Sequence, residues 1–320
     1  MTENELKLLA QLLAGNLSSN KITIEEAFNN YLKYATVRCR PDTIAFYLKL
    51  WKVLVQFYNQ YDIKFINDID NNIMINLQYW LKASGYSNNS INKFTDTLKM
   101  VIKYNYENGF INEFKIATFK KLKKDFAETI IVENDVRSKI LNYLETLPNS
   151  DLFNLRNKLI IYIFDETGIR LNELLEIKRK NVLVEPNTIH LDFTKTGRPR
   201  DVFVSNETAY LINLYLSKTD TKQKYFFLNL IDNSKMGKIS VYKFLDKLKR
   251  ILDINQSITP HKWRHTLATN LMNSNAVNIK QVQNVLGHTQ LSTTQKYLHS
   301  SKNETRARVL NVLEKQKNMS

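Results

Sequence analysis

The chain has 320 residues, enough for two domains with separate cores, and its 43% hydrophobic and 24% charged content is that of an ordinary globular protein rather than a disordered or fibrous one. Its 46 Lys and Arg outnumber 31 Asp and Glu, a net charge of +15 shared by both halves, which points to a polyanionic partner or to a solvated basic surface. The single cysteine, Cys39, excludes an internal disulfide and a cysteine-held zinc, and apolar runs such as 159–164 are far too short to span a bilayer.

The first thirteen residues carry acids and do not read as a signal peptide, so a reducing cytoplasm is expected. Residues 21–110 read as helices. Ile44, Tyr47, Leu48, Trp51, Leu54, Val55 and Tyr58 recur at helical spacing and predict a helix over 43–59. Leu77, Trp80 and Leu81 continue the pattern in a second helix that Gly85 ends. A third begins near Ser90, runs through Phe94, Leu98 and Ile102, and stops at Gly109. Residues 114–129 are weakly patterned and crowded with lysines, among them Lys120, Lys121, Lys123 and Lys124. They read as an inter-domain linker; a solvated helix end and a strap along a phosphate backbone are the alternatives.

The second half opens with helices at 133–147 and 151–167. Strands are expected at 181–184, 188–193 and 201–204, the last two joined by a hairpin whose turn holds Gly197 and Pro199. Most of the remainder reads as helix, so the fold class is mainly α with a small antiparallel sheet in the C-terminal half.

Polar residues that could carry chemistry lie along this half. Arg170 opens a short helix with Glu173 one turn on, in isolation an exposed i,i+3 ion pair. Lys195 sits at the hairpin tip, either as a solvated lysine or as a mobile acid, with Arg198 and Arg200 just after it. In the segment 261–265, Thr259 and Pro260 suit the N-cap and first position of a helix. His261, Arg264 and His265 then share one face, and Trp263 and Leu267 point the other way. A helix start bearing Arg and His suits a phosphate. The competing readings are a core histidine pair and a metal site, but the zincin pattern needs a glutamate where Lys262 stands. Gly287 is expected to end a helix over 278–286. His288 follows it, and Tyr297 comes nine residues later in a helix opened by Ser292 and Gln295.

Taken together, Arg170, Lys195, His261 with Arg264, His288 and Tyr297, with the GxRxxEL frame, the HxxRH form and the LGH-to-Tyr spacing, resemble the tyrosine recombinases, also called the phage integrase family. The resemblance covers nearly the whole chain and looks most like the Xer-type two-domain layout. It implies an N-terminal segment (1–20), a helical SAM-like core-binding domain (21–113), a basic linker (114–129), a catalytic domain (130–300) and a C-terminal helix (301–320) exchanged between protomers. Together the two domains would form a C-shaped DNA clamp.

It further implies a site-specific DNA recombinase that works through a 3′-phosphotyrosyl link on Tyr297, with neither metal nor ATP. Arg170, Arg264, His261 and His288 would hold the phosphate, and Lys195 would protonate the leaving oxygen. Glu173 and His265 would support, and Lys120, Lys121, Lys123, Lys124, Arg198 and Arg200 would contact DNA. The implied partners are double-stranded DNA and further copies of the chain, a dimer on one site and a tetramer in the synapse, with an accessory DNA-bending protein or partner recombinase left open. A type IB topoisomerase-like enzyme and a non-catalytic DNA-binding protein are the alternatives. A metal-dependent nuclease lacks the paired acids that would hold magnesium.

Overall fold

The computed structural model describes residues 21–125, 131–183, 185–192, 194, 197–274 and 278–287. The chain divides into two compact units, residues 1–127 and 128–320.

Among its described residues the first unit packs four helices, α1 (Ile24–Arg38), α2 (Pro41–Gln60), α3 (Asn71–Ala83) and α4 (Asn88–Glu107). Their starts are set locally. Thr23 and Glu26 form a reciprocal capping box on α1, with Glu26 N–H donating to Thr23 Oγ1 at 3.1 Å and Thr23 N–H to Glu26 Oε2 at 2.8 Å. Pro41 occupies the first turn of α2, where its missing N–H costs nothing, and Asp70 caps α3. The apolar stripes then meet: Leu54, Phe57, Met74, Leu77, Leu81, Ile91 and Leu98 are all buried. Phe28 stacks on Trp51 at 3.9 Å. A buried amide ties α4 to α1, with Asn105 Nδ2 donating to Ala27 O at 2.9 Å and to Val101 O at 2.8 Å.

Residues 114–125 lie against this unit. Ile116 is buried in its core. Asn92 exchanges two 2.9 Å hydrogen bonds with the main chain of Leu122. Gln78 and Asn88 donate to the carbonyls of Lys120 and Lys123. The backbone is held while Lys120, Lys121, Lys123 and Lys124 remain exposed, Lys121 beside Asp96 at 2.7 Å.

The second unit is organised around α6 (Leu152–Thr167). Leu155, Leu159, Ile160, Ile161, Ile163 and Phe164 are buried on all sides of it, the pattern of a central helix. Around it stand α5 (Asn134–Thr146), the short α7 (Leu171–Leu175), α8 (Asn206–Lys218), α9 (Lys238–Ile251), α10 (Pro260–Asn273) and α11 (Ile279–Leu286). Strands β1 (Thr188–Leu191) and β2 (Arg200–Phe203) pair antiparallel, with Ile189 opposite Val202 and Leu191 opposite Arg200. Among the described residues these are the whole sheet.

The strand expected at 181–184 is a correction. Residues 179–181 form a single 3-10 turn, and Val182 makes one isolated bridge to Ile189. Leu183 stands at φ 53°, outside the extended region, so the chain cannot continue along β1.

Candidate active site

The site begins where α6 ends. Gly168 adopts φ 57°, a left-handed cap that glycine reaches without strain. A β-carbon there would press on Leu267 and Leu286, each 3.1 Å away. The turn delivers Arg170 to the N-cap of α7. Glu173 reaches back to it: Oε2 accepts from Arg170 N–H at 3.1 Å, and Oε1 accepts from Arg170 Nη1 at 2.8 Å. This is no surface pair, because the Glu173 side chain is 1% exposed and that of Arg170 is 18% exposed.

A second cation meets the same carboxylate. Arg200 Nη2 donates to Glu173 Oε2 at 2.8 Å. Burial raises the Glu173 pKa, but the charges of Arg200 and then Arg170, with the hydrogen bonds from Arg170, outweigh it and hold the carboxyl below its ordinary 4.5. A depressed carboxylate contributes stability above its unfolded pKa and loses it as pH falls through the folded value. The second unit should therefore weaken progressively below about pH 4.5, and Glu173→Gln should flatten that acid slope. Denaturant melts of both proteins at several pH values check this. Equal slopes would show that Glu173 does not carry it.

From α10 comes Arg264, 4% exposed. Its Nη1 donates to Gly168 O at 2.8 Å, and its Nη2 donates to Leu286 O. Trp263 beside it is fully buried in the main core. Thr259 occupies the N-cap of α10 and Pro260 its first turn, although the Thr259 side chain makes no capping bond. His261 in that first turn is exposed, and His265 is half-buried. Leu267 departs from expectation. It packs with Ala268, Val282 and Leu286 one turn beyond Arg264, because α11 covers that side of the helix.

Three arginines converge on the end of α11. Val285 O accepts from Arg200 Nη1 at 2.7 Å, Leu286 O from Arg264 and Gly287 O from Arg170 Nη2 at 3.3 Å. The last carbonyls of a helix lack intrahelical partners and carry the negative end of its dipole, so cations belong there. Gly287, at φ 63°, is the next residue, and a β-carbon on it would lie 2.7 Å from Arg200 Nε.

Arg170, Glu173 and Arg264, named from the sequence, are thus brought together. Lys195, His288 and Tyr297 lie outside the described residues, as does the expected C-terminal helix. Near the hairpin turn, Thr194 Oγ1 donates to Arg198 O at 2.7 Å, and Arg198 is exposed.

The sequence reading missed the inward role of Arg200, which it counted among surface DNA contacts. Strand alternation carried the signal. Arg200 is two residues from buried Val202 and so shares its inward face. Among the described residues no group of three or more His, Cys, Asp or Glu could hold a metal ion, and no helix is long and apolar enough to cross a membrane.

Residues 131–304 match the phage integrase family, and residues 23–129 match the phage integrase SAM-like domain. Among curated proteins, the chain is 29% identical over 219 residues to tyrosine recombinase XerA of Pyrococcus horikoshii, covering 68% of this chain and 71% of that one. It is 24% identical over 293 residues to tyrosine recombinase XerD of Staphylococcus aureus, covering 88% and 97%. Among solved structures, the Tn1549 transposon integrase in complex with transposon right end DNA superposes with a TM-score of 0.74 at 18% identity, over 91% of this chain and all of that one. A lambda integrase dimer bound to a core site gives 0.70 at 17% identity, over 90% and 80%.

Proposed function

We propose a reaction for this chain from its ancestry: it belongs to the phage integrase family. It cuts and rejoins double-stranded DNA at specific sites through a covalent link to Tyr297. The observation that supports this best is the meeting of Arg170 and Arg264, from segments far apart in sequence, at the carbonyls of Leu286 and Gly287, immediately before His288.

A phenol with a pKa near ~10 is almost wholly protonated at neutral pH, so attack on a phosphodiester needs help. Arg170 and Arg264 hold the non-bridging oxygens, and His261 and His288 add hydrogen bonds, so that charge building on the phosphorane meets donors already in place. Tyr297 Oη gives up its proton to solvent and bonds to phosphorus as the bond to the 5′-oxygen breaks, and Lys195 gives that oxygen its proton. The product is a 3′-phosphotyrosyl link and a free 5′-hydroxyl. A 5′-hydroxyl of another strand then attacks the link, the tyrosine leaves and is reprotonated, and the backbone is whole. Because the phosphodiester energy is kept in the link, neither ATP nor a metal ion is required. The exposed lysines of 120–124 and Arg198 add phosphate contacts. A dimer on one site and a tetramer in the synapse, joined through the segment 301–320, complete the reaction.

The test is a trapping assay. Purified protein is incubated in EDTA with nicked duplexes drawn from the DNA around its own gene and from a pool of genomic fragments, then run on a denaturing protein gel. A shifted covalent band is the expected result. No band on any fragment would favour a DNA-binding protein without catalysis, and relaxation of any supercoiled plasmid without site preference would favour a topoisomerase-like enzyme.

A further inference from the structure

Arg200 is the residue of the site that neither the charge pattern nor the nucleophile's chemistry requires. Its side chain is 12% exposed. Burial pulls its pKa down against the opposing pull of Glu173, which means that placing this cation here costs the fold something. Its Nε is buried with no hydrogen-bond partner among the described residues. A buried ion pair is weak evidence for stability, since replacing the whole pair by well-packed apolar residues is often neutral or stabilising.

What the placement does is geometric. One guanidinium spans two elements, giving Nη2 to Glu173 Oε2 at 2.8 Å and Nη1 to Val285 O at 2.7 Å. Arg170 spans the same two elements one step further out, from Glu173 Oε1 to Gly287 O. The two arginines therefore run in parallel between a single carboxylate and the end of α11, and Glu173 is divided between them, one oxygen facing each guanidinium.

We propose that Arg200 is a positioning residue for DNA cleavage. It holds one half of Glu173 and the end of α11, so that Arg170 keeps its outer edge for the phosphate. Without Arg200, the buried carboxylate would have Arg170 as its one guanidinium and would draw it inward, away from the substrate. The carbonyl of Val285 would lose its donor, and the end of α11, from which the chain runs on to His288, would be held by fewer bonds. This role rests on the recombinase function proposed above.

The experiment measures single-turnover formation of the covalent adduct and DNA affinity for the native protein, Arg200→Ala and Arg200→Lys, with thermal unfolding of each and Tyr297→Phe as the blank. Arg200→Ala is expected to slow adduct formation by about 10²-fold, the cost of misplacing a reacting group by roughly 1 Å, while affinity changes by less than about threefold. Lysine keeps the charge but has no fork to span Glu173 and Val285 together, so it should recover less than about a tenth of the native rate. With one of its two guanidiniums gone, the carboxyl of Glu173 rises in pKa, so the acid limb of the rate profile should move to higher pH in Arg200→Ala. A purely structural residue would not move that limb.

If Arg200→Ala does not fold, Arg200→Lys decides by the same criteria. A folded variant that cleaves within about threefold of the native rate, or one whose rate and affinity fall together with an unmoved acid limb, overturns the proposal. A native protein that forms no adduct overturns the recombinase function itself, and the positioning role with it.

Discussion

Arg264→Ala is expected to lose both cleavage and a large part of the stability of the second unit. The side chain is 4% exposed and supplies donors to Gly168 O and Leu286 O. Alanine leaves both carbonyls without that donor in a place water reaches poorly, at about 1–3 kcal/mol each. A loss of roughly 2–5 kcal/mol by chemical denaturation is therefore expected. In the proposed mechanism the same substitution also removes a donor to the phosphate, a loss that typically costs on the order of 10²–10³ in rate. The cleavage defect must be read at a temperature and denaturant level where the variant is still folded. Unchanged stability would show that the carbonyl contacts carry no weight. A folded variant with the native cleavage rate would remove Arg264 from the phosphate site.

Tyr297→Phe should abolish the covalent adduct and leave DNA binding intact. Phenylalanine keeps the ring and removes only the oxygen to which the proposed mechanism assigns the attack. Removing a nucleophile outright costs on the order of 10⁶ in turnover in a well-studied hydrolase, so the band should fall below detection. Binding should hardly change, because it comes from cations that displace counterions along the phosphate backbone, and the phenol is uncharged at neutral pH. A gel shift and the denaturing gel, run on the same samples, separate the two effects. An adduct that survives the substitution would move the nucleophile to another of the sixteen tyrosines.

The helices were largely legible because their signals are local. The stripe Ile44–Tyr58 lies within α2, Gly109 follows α4, and Gly287 ends α11, each as the spacing implied. Caps and apolar stripes act across three or four residues, so one sequence carries them in full. The sheet was less legible. Strand propensity around Val182 says nothing of the positive φ that Leu183 adopts, and that single residue turns an expected third strand into one bridge. The segment 114–129 reads as a linker because its lysines are unpatterned, and its described part, 114–125, is attached to the first unit. Its attachment comes from main-chain groups bonded to Gln78, Asn88 and Asn92, which no side-chain pattern within the segment reveals.

The site divides in the same way. By itself the sequence determined which residue types were present and in what order. Arg170, Glu173, Arg264 and the glycines that let the chain turn toward them could all be named from spacing. Only the tertiary structure decided what those residues hold. The bonds that build the site join partners 27, 85, 96 and 117 positions apart: Arg200 to Glu173, Arg200 to Val285, Arg264 to Gly168 and Arg170 to Gly287. Arg200 looks on paper like one more surface cation beside Arg198. Burial against Glu173 and the end of α11 makes it a strut, because in a site of low dielectric a charge is tolerated only where an opposite charge and bare carbonyls are waiting.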